Sequence, residues 1–310
     1  MSTDVDVTTL LPLPGEGETA GRWDALISAA RRDLVAARFL EAHNDAAAIL
    51  HELGADAPRP GQWWGVWAAE PPDPVLRAVA TDAGHRLRGR KPWCSGAHSC
   101  THALVTATRE DGRVQLFAVD LGQPSVRPVP DSWHAIGMAA SDSGAVDFDD
   151  VPAQPIGEPG DYLARPGFWH GAIGVAACWF GGALAVGDAL RDSRRDDPFT
   201  LAHLGAVDAA EYAARAALEA AARETDLAPD DTDAARIRAR RVRAIVEHVA
   251  TATIDRVGRA LGPGPLTANR RHAQLVADLG VYLRQSHAER DLAALGADAR
   301  AVGTDGEGAR

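Results

Sequence analysis

An uncharged stretch between Pro166 and Gly187 constrains the fold of this chain more than any other feature, because it contains no Asp, Glu, Lys or Arg. A membrane-spanning helix needs about 20 such residues. The stretch is interrupted by His170 and by several glycines, and charged residues flank both of its ends. A helix buried inside a helical bundle has the same composition, and we favour this interpretation over a membrane span.

The pattern of the sequence changes twice along the chain, from helical to strand-like and back to helical. Residues 22–53 carry apolar side chains and alanines at helical spacing. Between residues 61 and 157, Gly, Pro and alternating apolar residues replace them, and the apolar runs 102–108 and 113–121 are joined by Glu-Asp-Gly, which predicts a hairpin. Four long helices are predicted after Pro166, at about 166–193, 199–226, 232–261 and 267–295.

This order predicts an α+β fold with a short N-terminal helical segment, a central antiparallel β domain and a C-terminal four-helix bundle, because long helices joined by short breaks pack most simply as an antiparallel bundle. The predicted boundaries are 1–60 for a flexible arm and the short helical segment, 61–160 for the β domain, 161–296 for the bundle and 297–310 for a disordered tail.

The charge and cysteine content exclude several classes of protein. The formal net charge is −11, which gives no general attraction to nucleic acids or anionic membranes. Three cysteines are too few for a disulfide framework and suit a reducing cytoplasm. The first 21 residues are acidic and lack the basic and apolar regions of a signal peptide. We therefore expect a cytoplasmic protein with no nucleic-acid or membrane partner.

Three short motifs follow one another in the β region. Residues 67–71 read WAAEP, residues 89–97 read GRKPWCSGA, and residues 133–143 read WHAIGMAASDS. They resemble the first flavin-contact motif, the G-x-K-x-W-x-[ST] signature and the W-x-x-x-G-M-R-x-[ST]-x-S strand pair of the acyl-CoA dehydrogenase-like flavoproteins. The chain thus resembles this superfamily, including its flavin monooxygenase branch, with a shortened N-terminal helical domain.

The resemblance implies an FAD-dependent oxidoreductase that acts on an acyl-CoA or another small or carrier-bound substrate. It implies that Trp93 packs on the flavin, for which a large rigid indole is well suited, and that Ser95 bonds near the reactive flavin nitrogen. The other implied flavin contacts are Ala68, Ala69, Arg195 and Phe199. Relatives share the flavin across dimers or tetramers, so a homodimer or homotetramer is expected. The alternative for Trp93 and Ser95 is a core residue and a turn residue of a β domain.

The catalytic base is where the chain departs most from the resemblance. Acyl-CoA dehydrogenation needs a carboxylate that removes an α-proton, and neither of the superfamily's two glutamate positions holds a glutamate here. The candidates in those regions are His170, because the ordinary pKa of a histidine is near neutral and suits a base, and Asp278. Other departures are Ala69 in place of a hydroxyl residue and Ala139 in place of an arginine. An alternative function is therefore a catalytically degenerate member that serves as a structural or partner subunit.

Two further sequence patterns are better explained by structural roles than by binding sites. Cys94, His98, Cys100 and His102 suggest a metal site, but neighbouring positions on one face of a single strand rarely complete a tetrahedral shell, so we expect no metal. Five arginines between residues 236 and 243 form a basic run, and the acidic residues near them favour a solvated, salt-bridged helix face over a nucleic-acid surface.

Overall fold

The computed structural model describes residues 5–69 and 76–305, with side chains described up to residue 301. Contacts divide the chain into two units. Of the described residues, those up to Leu11 and those of Val35–Phe168 form the β unit, and those of Pro12–Leu34 and from Trp169 onward form the helical unit. The predicted N-terminal segment is therefore split, because its first helix belongs to the helical unit and its second helix to the β unit.

The secondary structure alternates as the sequence pattern predicts. The helices are α1 Thr19–Arg32, α2 Leu34–Glu52, α3 Asp161–Ala164, α4 Pro166–Arg191, α5 Pro198–Leu227, α6 Thr232–Leu261, α7 Gly264–Ala268, α8 Arg270–Tyr282 and α9 Glu289–Asp305. The strands are β1 Trp64–Trp67, β2 Arg77–Thr81, β3 Gly84–Lys91, β4 His102–Arg109, β5 Val114–Asp120, β6 Val126–Pro128 and β7 Val146–Ile156.

The sheet of the β unit closes into a ring, because β4, β2, β3, β7 and β5 pair in that order and β5 pairs again with β4. The predicted hairpin is confirmed, since β4 and β5 pair antiparallel from His102–Asp120 to Thr108–Val114. The prediction of an entirely antiparallel sheet is corrected: β1 and β2 both run parallel to β4. A succession of hairpins pairs each strand antiparallel to the next, so hairpins alone could not produce these two parallel pairs.

The inside of the ring is filled by apolar side chains such as Leu87, Val105 and Phe117, which are fully buried. A second cluster forms where α2 packs on the outside of the sheet through Ile49 and Leu50. The sequence predicted one helix over residues 22–53. The structure breaks it at Asp33, whose backbone is extended and whose N–H bonds to Ala29 O, so that α1 ends and α2 begins.

The uncharged stretch forms most of α4. This helix is long and apolar enough to cross a bilayer, but 78% of its most apolar part is buried inside the structure, as in the core helix of a bundle. Its glycines allow α1 to approach closely. A Cβ atom at Gly181 would lie 2.3 Å from Ile27 O, well inside any allowed contact. The packing of α1 against α4 thus explains the glycine at position 181.

The C-terminal region departs from the predicted single helix over residues 267–295. It consists of α7, α8, a one-turn 3-10 helix at Leu283–Gln285 and α9. Ala288 has a φ of 46°, which ends helical geometry before α9 begins. The predicted disordered tail starts inside α9, which continues to Asp305, and residues 306–310 lie outside the described residues. In the predicted N-terminal arm, Asn44 bonds to Thr9 O and Leu11 N.

Candidate functional site

Trp93 and Ser95 lie in the loop that joins β3 to β4 in the β unit. Trp93 has a φ of 56° and its indole is 55% exposed. A left-handed backbone is rare for a bulky residue, and the exposed indole offers a rigid apolar face to a ligand. The interpretation of Trp93 as a core residue is therefore wrong, because its neighbour Cys94 is the buried residue at this turn.

A second loop holds the Trp93 loop in place through the backbone. Cys94 N donates to Gly144 O at 2.8 Å, Gly96 N to Ser141 O at 2.9 Å, and Ala97 N to Asp142 O at 3.2 Å. Gly96 has a φ of 72°, and a Cβ there would lie 2.8 Å from Cys100 Sγ. Only glycine meets both requirements, so the Ser-Gly pair of the signature has a structural reason.

Three serine hydroxyls form a chain that begins at Ser95. Ser95 Oγ lies 2.9 Å from Ser143 Oγ, and Ser143 Oγ lies 2.8 Å from Ser141 Oγ. Ser141 donates its proton to Met138 O at 2.7 Å. Because each hydroxyl has one proton, Ser143 then donates to Ser141 and Ser95 donates to Ser143. Ser95 is left with oxygen lone pairs that can accept a hydrogen bond from a ligand N–H.

The WAAEP motif reaches the same loop. Trp67, the last residue of β1, is buried, and its Nε1 donates to Ser95 O at 3.0 Å. Ala68 follows half-buried and Ala69 exposed. Glu70 and Pro71, with the Pro-Asp-Pro that follows them, lie outside the described residues. The structure thus brings Ala68 and Ala69 next to the residue that supports Ser95.

The sequence did not reveal a hydrogen-bonded pair of His98 and Asp142 on the edge of this site. His98 Nδ1 lies 2.9 Å from Asp142 Oδ2, and His98 N also donates to Asp142 Oδ2 at 2.8 Å. The sequence pattern suggested His98 only as a metal ligand. No local pattern pointed to the pair, because 43 residues separate His98 from Asp142. Among the described residues, no group of three or more His, Cys, Asp or Glu side chains is placed to hold a metal ion.

A carboxylate that the sequence also did not reveal lies where the chain enters α4. Glu52, at the end of α2, accepts from Gly167 N at 3.0 Å and from Arg165 Nη1 at 2.7 Å. Both carboxylate oxygens are therefore engaged, one with the N-terminus of α4 and the other with a buried guanidinium. This arrangement caps the N-terminus of a helix, where a carboxylate is favourable.

The candidates of the helical unit do not come together. His170 is buried and its Nε2 donates to Pro229 O at 3.0 Å, ahead of α6, whereas Arg195 Nη1 donates to Ala260 O at 2.6 Å, near the end of α6. The 30 residues of α6 span about 45 Å. Phe199 is 80% exposed in the first turn of α5. Asp278 is buried on α8 and accepts from Gln274 Nε2 at 2.8 Å.

The basic run on α6 is largely paired, as predicted. Arg236 and Arg240 both bind Asp298, and Arg238 binds Glu224. Arg243 donates to Ala172 O and Gln285 O and lies over the Trp179 ring. These contacts hold helices together, so the run is a structural feature of the bundle.

The architecture is the acyl-CoA dehydrogenase-like fold. Butyryl-CoA dehydrogenase from Megasphaera elsdenii superposes with a TM-score of 0.79 at 18% identity, covering 90% of this chain and 81% of its own. TdsC from Paenibacillus sp. A11-2, a dibenzothiophene monooxygenase solved with FMN and indole, superposes with a TM-score of 0.78 at 16% identity, covering 90% of this chain and 82% of its own.

Sequence similarity also points to a dibenzothiophene monooxygenase, from another organism. The dibenzothiophene monooxygenase of Rhodococcus erythropolis is 34% identical over 115 residues, which covers 33% of this chain and 27% of that relative. The chain thus matches well under half of the relative's length, and no family model matches it. The resemblance to acyl-CoA dehydrogenase-like flavoproteins that the three motifs predicted is confirmed.

Proposed function

We propose that this protein is a flavin-dependent oxidoreductase that binds the flavin ring at the Trp93 loop. The observation that carries the proposal is the conformation of Trp93, which is held exposed in a left-handed backbone by a loop fixed from two sides. A bulky residue in this region costs about 1–2 kcal/mol. Such local strain is concentrated at ligand sites, where the surrounding structure imposes it.

The residues present suit a flavin. The indole of Trp93 offers a rigid apolar face for a ring system, and the lone pairs of Ser95 accept from an N–H at the polar edge of that ring. The backbone of Ala68 and Ala69, beside the Trp67–Ser95 bond, provides further polar groups. A bound flavin would supply electron or hydride transfer and, in monooxygenases, the activation of oxygen. The sequence predicted FAD, and the FMN of TdsC gives FMN an equal claim.

We propose oxygenation of a small organic molecule in preference to dehydrogenation of an acyl-CoA. Dehydrogenation needs a base close to the α-carbon. Glu52, where the chain enters α4, is bound by Gly167 N and Arg165, and Asp278 on α8 is bound by Gln274. His170 donates through Nε2 to a carbonyl oxygen. The similarity to dibenzothiophene monooxygenase supports the same branch.

The test begins with the absorbance of the purified protein and with titration of FMN and FAD. Stacking and apolar burial against the indole are worth roughly 1–3 kcal/mol, so Trp93→Ala should weaken flavin binding by about tenfold to a hundredfold. Leu163→Ala, which shortens another exposed apolar side chain of the β unit, is the control. Equal flavin affinity in all three proteins would place the flavin elsewhere.

The same purified protein can be used to test the type of reaction and the alternative, non-catalytic function. A protein that takes up neither flavin would be the non-catalytic partner subunit. Anaerobic bleaching of the flavin-loaded protein by butyryl-CoA would contradict the proposed oxygenation and indicate dehydrogenation. Oxygen consumption that depends on reduced flavin and on an aromatic probe such as indole would support oxygenation.

We also propose that the protein forms a homodimer or homotetramer through α5. One face of this helix exposes Phe199, Tyr212 and a row of small residues between and beyond them, namely Ala202, Gly205, Ala209, Ala213 and Ala216. An apolar exposed helix face is typical of an association surface. Tyr212→Glu should shift the protein toward the monomer in light scattering, and a wild-type protein that is monomeric at micromolar concentration would contradict the proposal.

A further inference from the structure

An open cleft of about 480 Å³ in the helical unit is lined by four arginines. One wall is the junction of α1 and α2, with Arg31, Arg32, Asp33 and Leu34, and the other is the first two turns of α8, with Arg270, Arg271, Gln274, Leu275 and Asp278. A volume in the range of about 300–1,000 Å³ is typical of small-molecule sites. The cleft therefore combines suitable size with an excess of arginines, four against the carboxylates of Asp33 and Asp278.

Three of these arginines have no carboxylate partner in the part of the chain that the structure describes. Arg31 is bound by Asp188 through two hydrogen bonds of 2.8 and 3.0 Å. Arg32 and Arg270 are exposed and form no salt bridge among the described residues, and Arg271 Nη2 donates only to the carbonyl oxygen of Arg32, at 3.3 Å. In a chain of net charge −11, unpaired arginines gathered along one cleft call for an explanation.

The basic run of α6 shows how this chain otherwise treats its arginines. There, Arg236 and Arg240 share Asp298, and Arg238 binds Glu224. Those arginines hold structural elements together and are largely neutralised by doing so. In the cleft, Arg32, Arg270 and Arg271 remain available to a ligand.

The position of Arg270 and Arg271 at the start of α8 is unfavourable for the helix itself. The N-terminus of a helix carries partial positive charge, which favours acidic residues in the first turn. The first turn of α8 contains no acidic residue and begins with the two arginines. Arg31 and Arg32 lie at the C-terminus of α1, where cations are favourable, so their position needs no ligand. Arg270 and Arg271 are thus the residues that point to a binding role.

We propose that this cleft binds the phosphate or diphosphate group of a small organic molecule. Guanidinium groups bind phosphate oxygens through paired hydrogen bonds, and several of them can surround one phosphate. The side chains of Leu34 and Leu275 line the same cleft and can contact the organic part of the ligand. The proposal does not depend on flavin binding at Trp93, since the two sites are tested by different variants.

The test is calorimetric titration of inorganic pyrophosphate into the full-length protein and two variants. Arg270→Gln should weaken binding by about tenfold, which corresponds to 1.4 kcal/mol. Arg241→Gln removes the same charge from an exposed position on α6 and should leave the affinity unchanged. Raising the NaCl concentration from about 50 to about 300 mM should weaken pyrophosphate binding to the wild type, because salt screens exposed charges.

Thermal melting shows whether a variant that loses pyrophosphate affinity is still folded. Because a cation at the start of a helix is unfavourable, Arg270→Gln should melt at the same temperature as the wild type or higher, while it loses pyrophosphate affinity. Should Arg270→Gln fail to fold, Arg271→Gln is measured in its place. Equal pyrophosphate affinity in the wild type and the cleft variant, or an equal loss in the Arg241→Gln control, would overturn the proposal.

The source of the phosphate is distinguished with FMN, riboflavin and ADP as further probes. If Arg270→Gln weakens FMN binding and leaves riboflavin binding unchanged, the cleft receives the phosphate of the flavin. If it weakens ADP binding and leaves FMN binding unchanged, the cleft receives a phosphorylated substrate. Both results support the phosphate site, and they remain readable even if Trp93→Ala shows that the flavin ring binds elsewhere.

Discussion

The two units position their candidate residues in different ways. In the β unit, the Trp93 loop and the loop at residues 139–144 hold each other through three backbone hydrogen bonds, so the main chain itself places the indole and the serine hydroxyls. In the helical unit, His170 and Arg195 each bind a carbonyl oxygen, at opposite ends of α6. Backbone pairing of two loops gives a preformed site, whereas side chains on long helices stabilise the bundle at separate points.

The largest effect is expected from breaking the helical unit at the contact of α1 with α4. In Gly181→Ala, the new methyl group would meet Ile27 O at 2.3 Å and Ala30 Cβ at 2.7 Å. The helices must then move apart, and we expect a loss of about 2–4 kcal/mol in the free energy of unfolding, as for severe overpacking. Urea unfolding followed by circular dichroism measures it.

Gly258→Ala is the matched control for this prediction. Gly258 lies in α6, and a Cβ atom added to it would point into open space, so the substitution should stabilise the protein by about 0.5–1 kcal/mol through helix propensity alone. A Gly181→Ala protein as stable as the wild type would show that the close approach of α1 to α4 is not required.

A smaller effect is expected from breaking the preformed loop of the β unit. Gly96→Ala combines a φ of 72° with a contact of 2.8 Å to Cys100 Sγ, and we expect a loss of about 2–3 kcal/mol. Because the loop carries Trp93 and Ser95, flavin affinity should fall with stability. Gly54→Ala has a similar φ of 68° and open space around it, so it should lose only about 1 kcal/mol and retain flavin affinity.

Sequence reasoning succeeded where residues close in the chain form the feature. The hairpin of β4 and β5 follows from alternation around a Glu-Asp-Gly turn, and the three motifs of the β unit identify the fold because their patterns are short and ordered. The first three bundle helices lie within two residues of their predicted bounds, since Pro198, Pro229 and the Gly-Pro repeat after Leu261 mark their ends.

The features that the sequence did not reveal depend on contacts between distant residues. The pairing of His98 with Asp142 and the capping of α4 by Glu52 join residues far apart in the chain, and no pattern in either segment specifies a partner. The extended backbone at Asp33 and the parallel pairing of β1 and β2 with β4 are likewise set by tertiary packing. The arginines of the cleft come from two segments about 240 residues apart, which only the fold brings together.

The smallest effect is a pH dependence of stability that we expect from His43 in the β unit. His43, on α2, is 2% exposed, and its Nδ1 accepts from Trp64 N at 3.2 Å. Burial lowers the pKa of His43, and a protonated Nδ1 could no longer accept that bond. Below the ordinary pKa of about 6.5, the unfolded chain therefore binds a proton that the folded chain resists. The stability that depends on neutral His43 is fully present above that value and decreases as the pH falls.

Urea unfolding at about pH 7.5 and about pH 5.5 should show the decrease in the wild type and a smaller one in His43→Gln, whose amide oxygen can accept from Trp64 N without titrating. Burial also lowers the pKa of His102, so His102→Gln is measured in parallel. If His102→Gln flattens the pH dependence and His43→Gln does not, the bond between α2 and β1 is not the group that titrates.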